Sequence, residues 1–153
     1  MRQAAFFLCC MLLLLSPGVR GGENESTNEV EEIFFEADES EFSLDGDNFI
    51  KKFTGHVCAR TKGMEIISDK ALYNRDRGYT ILTGHAVLRD SIRTIQADTI
   101  EYLTHSRTAT ARGGVLISES NRSLAASFVR YFRDKRSFLA RGDTVRLIDR
   151  EEN

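Results

Sequence analysis

Glycine recurs with a constant spacing of 29 residues, at Gly55, Gly84, Gly113 and Gly142. A tyrosine follows each of the first three glycines after eighteen residues, at Tyr73, Tyr102 and Tyr131. Chance does not keep seven residues in such register without a gap. Sequence periods of about 20 to 50 residues mark folds that are built by stacking one supersecondary unit. The spacing therefore predicts that every unit of this chain repeats the same local structure.

The units have the composition of β-strands. β-branched and aromatic residues alternate with polar ones in stretches such as MEIISD, YTILTG and IQADTIEYL, and polar clusters separate these stretches. The glycine and the Ala-Asp region fall in the middle of strands, where glycine marks a bulge or a tight bend. A bend at the same place in every unit predicts an all-β fold. We expect a rolled antiparallel sheet, or β-jellyroll, around a continuous apolar interior.

Helix is the competing interpretation for 64–74 and 123–135. In the second segment, Leu124, Phe128 and Phe132 are spaced by four residues, which suits one face of a helix. The equivalent segment of the preceding unit, IQADTIEYL, has β-branched residues at its centre and no helix cap. Because repeated units share one structure, we predict strands for both segments.

A weaker copy of the unit precedes the first glycine. Asp38 and Phe42 repeat the spacing of Asp98 and Tyr102, so the pattern begins near Ile33. We therefore place the folded domain at 33–150.

The first 21 residues have the organisation of a secretory signal. Arg2 precedes an apolar stretch over 4–15, which small residues then end. A membrane helix needs about 20 apolar residues, so the stretch predicts a signal peptide over 1–21 and a periplasmic protein, with an uncleaved anchor as the alternative. Cys9 and Cys10 lack the small preceding residue of a lipoprotein signal. Only one thiol then remains, so no internal disulfide is possible.

Charge is divided unevenly along the chain. The segment 23–47 carries 11 acidic residues and no Lys or Arg, whereas 49–153 carries 19 basic and 12 acidic residues. The polar, acidic residues over 22–32 are typical of a solvated linker. The basic body suits either a soluble surface or an anionic partner. Nucleic acid is not expected, since the sequence has no recognition-helix pattern and no zinc-finger spacing.

The order of motifs resembles the OstA-like family of lipopolysaccharide-transport proteins, which includes LptA and LptC. The motif G-x-V, then I-x-A-D-x-x-x-Y, then G-x-V again is clearest at 84–87, 95–102 and 113–115. The resemblance extends with drift over 33–148. It implies a non-catalytic β-jellyroll whose interior holds the acyl chains of lipopolysaccharide and whose ends stack on other copies.

The resemblance thus implies periplasmic carriage of lipopolysaccharide, or a related anionic glycolipid, to the outer membrane by an LptA-like bridge component. An LptC-like docking module without lipid of its own is the alternative. The expected partners are the glycolipid and other OstA-like proteins or a second copy, joined by β-strand addition. One face stays apolar through the units, and its residues are the predicted lipid-binding interior: Val57, Ala59, Ile66, Ala86, Leu88, Ile95, Val115, Ile117 and Leu124. Rim Arg and Lys residues would meet phosphates.

Metal binding and catalysis find little support. His56 and Cys58, two residues apart and expected on one strand face, form with His85 the only constellation with metal-ligand chemistry. A structural zinc site needs about four ligands, so no metal or other cofactor is predicted. The sequence lacks a G-x-S-x-G turn, and no carboxylate aligned with the histidines is expected, so no catalytic residue is assigned. Asp69 and Asp98 are expected at strand corners. The tyrosines suit cross-strand packing or, second, the lining of a lipid mouth.

Overall fold

The computed structural model describes residues 32–46 and 48–149, all of them in strands, turns or irregular segments. The predicted signal and nearly all of the predicted linker lie outside these residues. The all-β prediction is confirmed, and the segment with helical spacing near the C-terminus is a strand. The described part of the chain contains no helix of the length and apolarity that crossing a membrane requires. The strands are β1 (Phe34–Glu36), β2 (Glu39–Asp45), β3 (Asn48–Thr61), β4 (Met64–Asn74), β5 (Tyr79–Asp90), β6 (Thr94–Leu103), β7 (Thr108–Glu119), β8 (Arg122–Phe132), β9 (Ser137–Arg141) and β10 (Arg146–Asp149).

All strands belong to one antiparallel sheet in which β3 to β8 each pair with the next strand along the chain. The pairing register breaks at the first three glycines of the repeat, between Thr54 and Val57, Thr83 and Ala86, and Arg112 and Val115. These breaks divide the six long strands into halves. β1 and β10 pair with one set of halves, which we call the first wall, and β2 and β9 pair with the other set, the second wall.

The two walls face each other. β5 and β8 are three strands apart, which in a flat sheet is a separation of about 14 Å. Nevertheless, the hydroxyl of Tyr131 on the second-wall half of β8 lies 2.5 Å from Oδ2 of Asp90 at the first-wall end of β5. The sheet is therefore folded over along the line of glycines. We call that folded edge the corner, and the opposite edge, where the turns of both walls meet, the mouth.

The corner needs glycine for two reasons. Gly84 and Gly113 have φ angles of +79° and +78°, in the left-handed region that side chains rarely adopt. A Cβ atom on Gly84 would also collide with the carboxylate of Asp69, and one on Gly113 would collide with Asp98. The repeated glycine is thus the position where the sheet turns against a neighbouring Asp, as the mid-strand bend predicted.

The core fills the space between the walls. Leu88 and Ile95 of the first wall and Leu82 and Ile100 of the second are each at most 1% exposed. Full burial of one such side chain contributes about 1.5–3 kcal/mol. Apolar packing between the walls is therefore the main force that holds the fold closed.

Candidate functional site

The predicted lipid-binding residues all lie in the first wall. Eight of them are buried in the core, at 3% exposure or less. Leu124 is half-buried because it sits on β8 next to the edge strand β10, where it is paired with Leu147. The structure places the nine residues together on the inner face, and their contact with lipid stays a prediction.

The second wall supplies the other half of the interior, and the sequence prediction missed it. The missed residues also follow the repeat. One set precedes each glycine by two residues: Phe53, Leu82, Ala111 and Ala140. A second set follows each of the first three glycines by sixteen: Ala71, Ile100 and Val129. Tracing the 29-residue period backward as well as forward from each glycine would have found both sets.

The mouth is polar where the core is apolar. Tyr131 is buried, and its hydroxyl donates a hydrogen bond to the carboxylate of Asp90 across the two walls. Burial and this hydrogen bond raise the pKa of Tyr131 to about 12. Tyr102, one rung away, is also buried and accepts a hydrogen bond of 3.4 Å from Nη1 of Arg133. The tyrosines therefore pack across strands, as expected, and two of them also connect to polar groups at the mouth.

Asp90 is held in its charged form. Burial alone would raise the pKa of this carboxyl, but hydrogen bonds from Tyr131 and from the backbone N–H groups of Ile92 and Arg93 outweigh burial, and the pKa is lowered. The two backbone bonds measure 2.8 and 2.9 Å. Asp90 is thus an ionised acceptor that links the β5–β6 turn of the first wall to the second wall.

Arg93 completes the connection between the walls. Its side chain is 5% exposed, and its guanidinium lies 5.0 Å from the ring centre of Tyr131 and 5.8 Å from that of Phe138. Nη2 lies 3.5 Å from Oε2 of Glu119 and donates a hydrogen bond to the backbone oxygen of Arg136. Because Arg93 belongs to the first wall and Tyr131, Arg136 and Phe138 to the second wall and its turn, these contacts close the mouth.

The histidines lie at the outer side of the corner, and each has a carboxylate partner. Nδ1 of His56 is 2.7 Å from Oδ2 of Asp38, and Nδ1 of His85 is 2.9 Å from Oδ2 of Asp69. The expectation that no carboxylate is aligned with the histidines is therefore wrong, because the register break at each glycine brings the preceding Asp opposite. Both histidine side chains are 92% exposed, so these are surface pairs. The hydrogen bond that Nδ1–H of His56 donates to the carboxylate of Asp38 raises the pKa of His56.

Cys58 does not join the histidines. It is buried, its Sγ lies 3.5 Å from Oε1 of Glu65, and burial raises the pKa of the thiol. The strand alternation that would align it with His56 is interrupted by the bulge between Thr54 and Val57. Within the residues that the structure describes, no group of three or more His, Cys, Asp or Glu side chains is placed to hold a metal ion.

Comparison with solved structures finds similar folds. The chain is similar to LptH from Pseudomonas aeruginosa, the LptA-homologous periplasmic component of the lipopolysaccharide transport device. The TM-score is 0.70 at 12% sequence identity, over 79% of this chain and 96% of LptH. No protein-family model matches the sequence, and no curated protein matches it. The similarity shows that the fold is an LptA-like β-jellyroll.

Proposed function

We propose that this chain is a periplasmic component of outer-membrane biogenesis that binds lipopolysaccharide, or a related anionic glycolipid, between its two walls and passes it on. It resembles an LptA-like bridge component in this role. The observation that carries the proposal is an apolar interior, folded over along one edge and closed at the other by polar contacts, in the fold that LptH also has. The proposed function is not enzymatic.

The physics of the interior suits acyl chains. An acyl chain gains about 0.8 kcal/mol for each CH₂ group that it buries, so apolar walls alone can hold it. Residues of the two walls face each other along the whole sheet, and they meet through side-chain packing rather than through backbone pairing. A lipid could therefore enter by separating the walls at the mouth while the hydrogen-bonded corner stays intact.

The sheet edges suit end-to-end partners. β1 and β2 form one end of the jellyroll, and β9 and β10 form the other. The outer side of an edge strand carries backbone groups that can pair with another strand. We expect other transport proteins of this fold, or a second copy, to add there.

A docking module, as in the LptC-like alternative, is the second candidate. It is favoured by one observation, the close filling of the interior by the protein's own side chains, of which Leu82, Leu88 and Ile100 have no measurable exposure. Such a module binds its partners through the sheet edges and needs no space for lipid.

Native mass spectrometry of the protein purified from its own envelope tests the two candidates. A bound mass that releases fatty acids on hydrolysis is the expected result for the lipid carrier. A lipid-free chain that arrives with another envelope protein would favour the docking module.

Substitutions on the inner and outer faces of the first wall test where the lipid binds. Leu88→Asp places a charge in the interior, and we expect it to abolish lipid capture. Leu124→Asp does the same at a half-buried position that tolerates the charge better. Ala125→Asp is the matched control, because neighbouring strand residues point to opposite faces. Lipid capture at the wild-type level by folded Leu88→Asp and Leu124→Asp proteins would contradict the interior assignment.

A further inference from the structure

A cleft of about 440 Å³ opens beside the mouth, at the end of the jellyroll formed by β7 to β10. Its apolar lining consists of Ile117, Leu124, Phe138 and Leu147. Its charged lining consists of Glu119, Arg122 and Asp149, and Nε of Arg122 lies 3.3 Å from Oδ2 of Asp149. Its volume is within the range of about 300–1,000 Å³ typical of small-ligand sites. Because Ile117 and Leu124 are also interior residues of the first wall, the cleft borders the apolar interior.

The buried guanidinium of Arg93 adjoins this cleft. Glu119 and Phe138, which line the cleft, are the same residues that contact Arg93. Nε and Nη1 of Arg93 are buried and have no hydrogen-bonding partner within the described part of the chain. Buried donors of a charged group are costly to leave unpaired, and a planar guanidinium with unpaired N–H groups on two of its nitrogens matches the oxygens of a phosphate or carboxylate.

We propose that this cleft binds a single alkyl chain whose acidic group, a phosphate or a carboxylate, displaces the carboxylate of Glu119 from the wall of the cleft and accepts hydrogen bonds from the guanidinium of Arg93 behind it. The alkyl chain then lies on Ile117, Leu124 and Leu147. The inference rests on the proposed function, and it adds where on the jellyroll the acidic end of the lipid is held. Glu119 competes with the ligand, since its carboxylate lies 3.5 Å from Nη2 of Arg93.

The aligned positions of the repeat support the site. Six residues after each of the first three glycines the chain has Thr61, Asp90 and Glu119. Nine residues after them it has Met64, Arg93 and Arg122. The acid and arginine pair is thus absent from the first unit and present in the next two, and the last of these pairs, Glu119 and Arg122, lines the cleft.

Calorimetric titration of the purified protein tests the inference with three probes. Dodecyl phosphate below its micelle concentration carries both features, dodecyl maltoside carries the alkyl chain without charge, and inorganic phosphate carries the charge alone. We expect dodecyl phosphate to bind most tightly. Maltoside binding as tight as that of dodecyl phosphate would overturn the role of the acidic group. Inorganic phosphate binding as tightly would overturn the role of the alkyl chain.

Three variants locate the acidic group. Arg93→Gln should weaken dodecyl phosphate binding about tenfold and leave maltoside binding unchanged. Arg89→Gln is the matched control, because Arg89 is an exposed arginine of the same turn region, and it should change neither. Glu119→Gln removes the competing carboxylate and should tighten dodecyl phosphate binding. This variant keeps the test decisive if Arg93→Gln does not fold.

The outcomes separate this inference from the proposed function. Unchanged dodecyl phosphate affinity in a folded Arg93→Gln protein, or in Glu119→Gln, would overturn the assignment of Arg93 while lipid carriage stands. A wild-type protein that binds neither dodecyl probe would instead contradict lipid carriage itself.

Discussion

The corner and the mouth are the two long edges of the same folded sheet, and they are built in opposite ways. At the corner the same contact recurs in each unit, with Asp38, Asp69 and Asp98 against the glycine of the next strand and Ser127 in the last position. At the mouth the aligned residues differ from unit to unit, and within the described residues the Tyr131–Asp90 hydrogen bond and the contact of Arg93 with the Tyr131 ring have no copy in another unit. The repeated residues therefore determine the bend, whereas residues that differ between the units form the contacts that close the mouth.

This difference predicts that the corner tolerates substitution least. Gly113 and Gly114 are adjacent and both have positive φ, but only at Gly113 would a Cβ atom collide with Asp98, whereas nothing lies near one on Gly114. We expect Gly113→Ala to lower the free energy of unfolding by roughly 2–4 kcal/mol. Gly114→Ala should cost about 1 kcal/mol, since the equivalent positions already hold histidine. Urea denaturation of the two variants measures both values.

Equal losses in the two variants would contradict this view of the corner. They would mean that backbone conformation alone, and not the close approach of the carboxylate, requires glycine at every 29th position.

Substitutions at the mouth should lower the free energy of unfolding less than Gly113→Ala does, but the effects of two of them should depend strongly on each other. Tyr131→Phe removes the donor of the charge-assisted hydrogen bond and Asp90→Ala removes its acceptor, and we expect a coupling free energy of about 1.5–3 kcal/mol in a double-mutant cycle. Tyr79→Phe, on the outer face of the second wall, is the control and should change stability by at most about 0.5 kcal/mol. Additive effects of Tyr131→Phe and Asp90→Ala would show that this bond does not hold the walls together.

The same pair should limit the pH range over which the mouth is stabilised. The pKa of Tyr131 is raised from 10.0 to about 12, so its contribution is complete below pH 10 and is lost as the pH rises toward 12. The pKa of Asp90 is lowered from 3.8, so its contribution is complete above that value and is lost as the pH falls through the lowered one. Ultraviolet titration of tyrosinate checks the first value. A tyrosine set that titrates entirely near pH 10 would contradict it.

The sequence predicted the corner because a repeated feature is visible as a period. The 29-residue spacing gave the bend, the strands and the interior face of the first wall, and Leu88 and Ile95 are buried as expected. The spacing did not predict the contacts at the mouth. Asp90 and Arg93 contact residues of the second wall, which lies near them only because the sheet is folded over. A buried arginine that contacts two aromatic rings has no local sequence signature. The 29-residue period does not reveal it either.

The smallest effect is expected on the outer side of the corner, where the units also differ. His56 pairs with Asp38, whereas the position equivalent to His56 beside Asp98 is Gly114. Since the pKa of His56 is raised above 6.5, its pairing stabilises the fold fully below 6.5, and this contribution is lost as the pH rises through the raised value. Asp38→Asn should therefore be more harmful on the acid side of that range than on the alkaline side, and Asp98→Asn should show no such dependence. The NMR titration of His56 gives the shift directly, and an unshifted pKa in the wild-type protein would mean that this exposed pair is screened by solvent and that only the glycine contact with Asp38 matters at the corner.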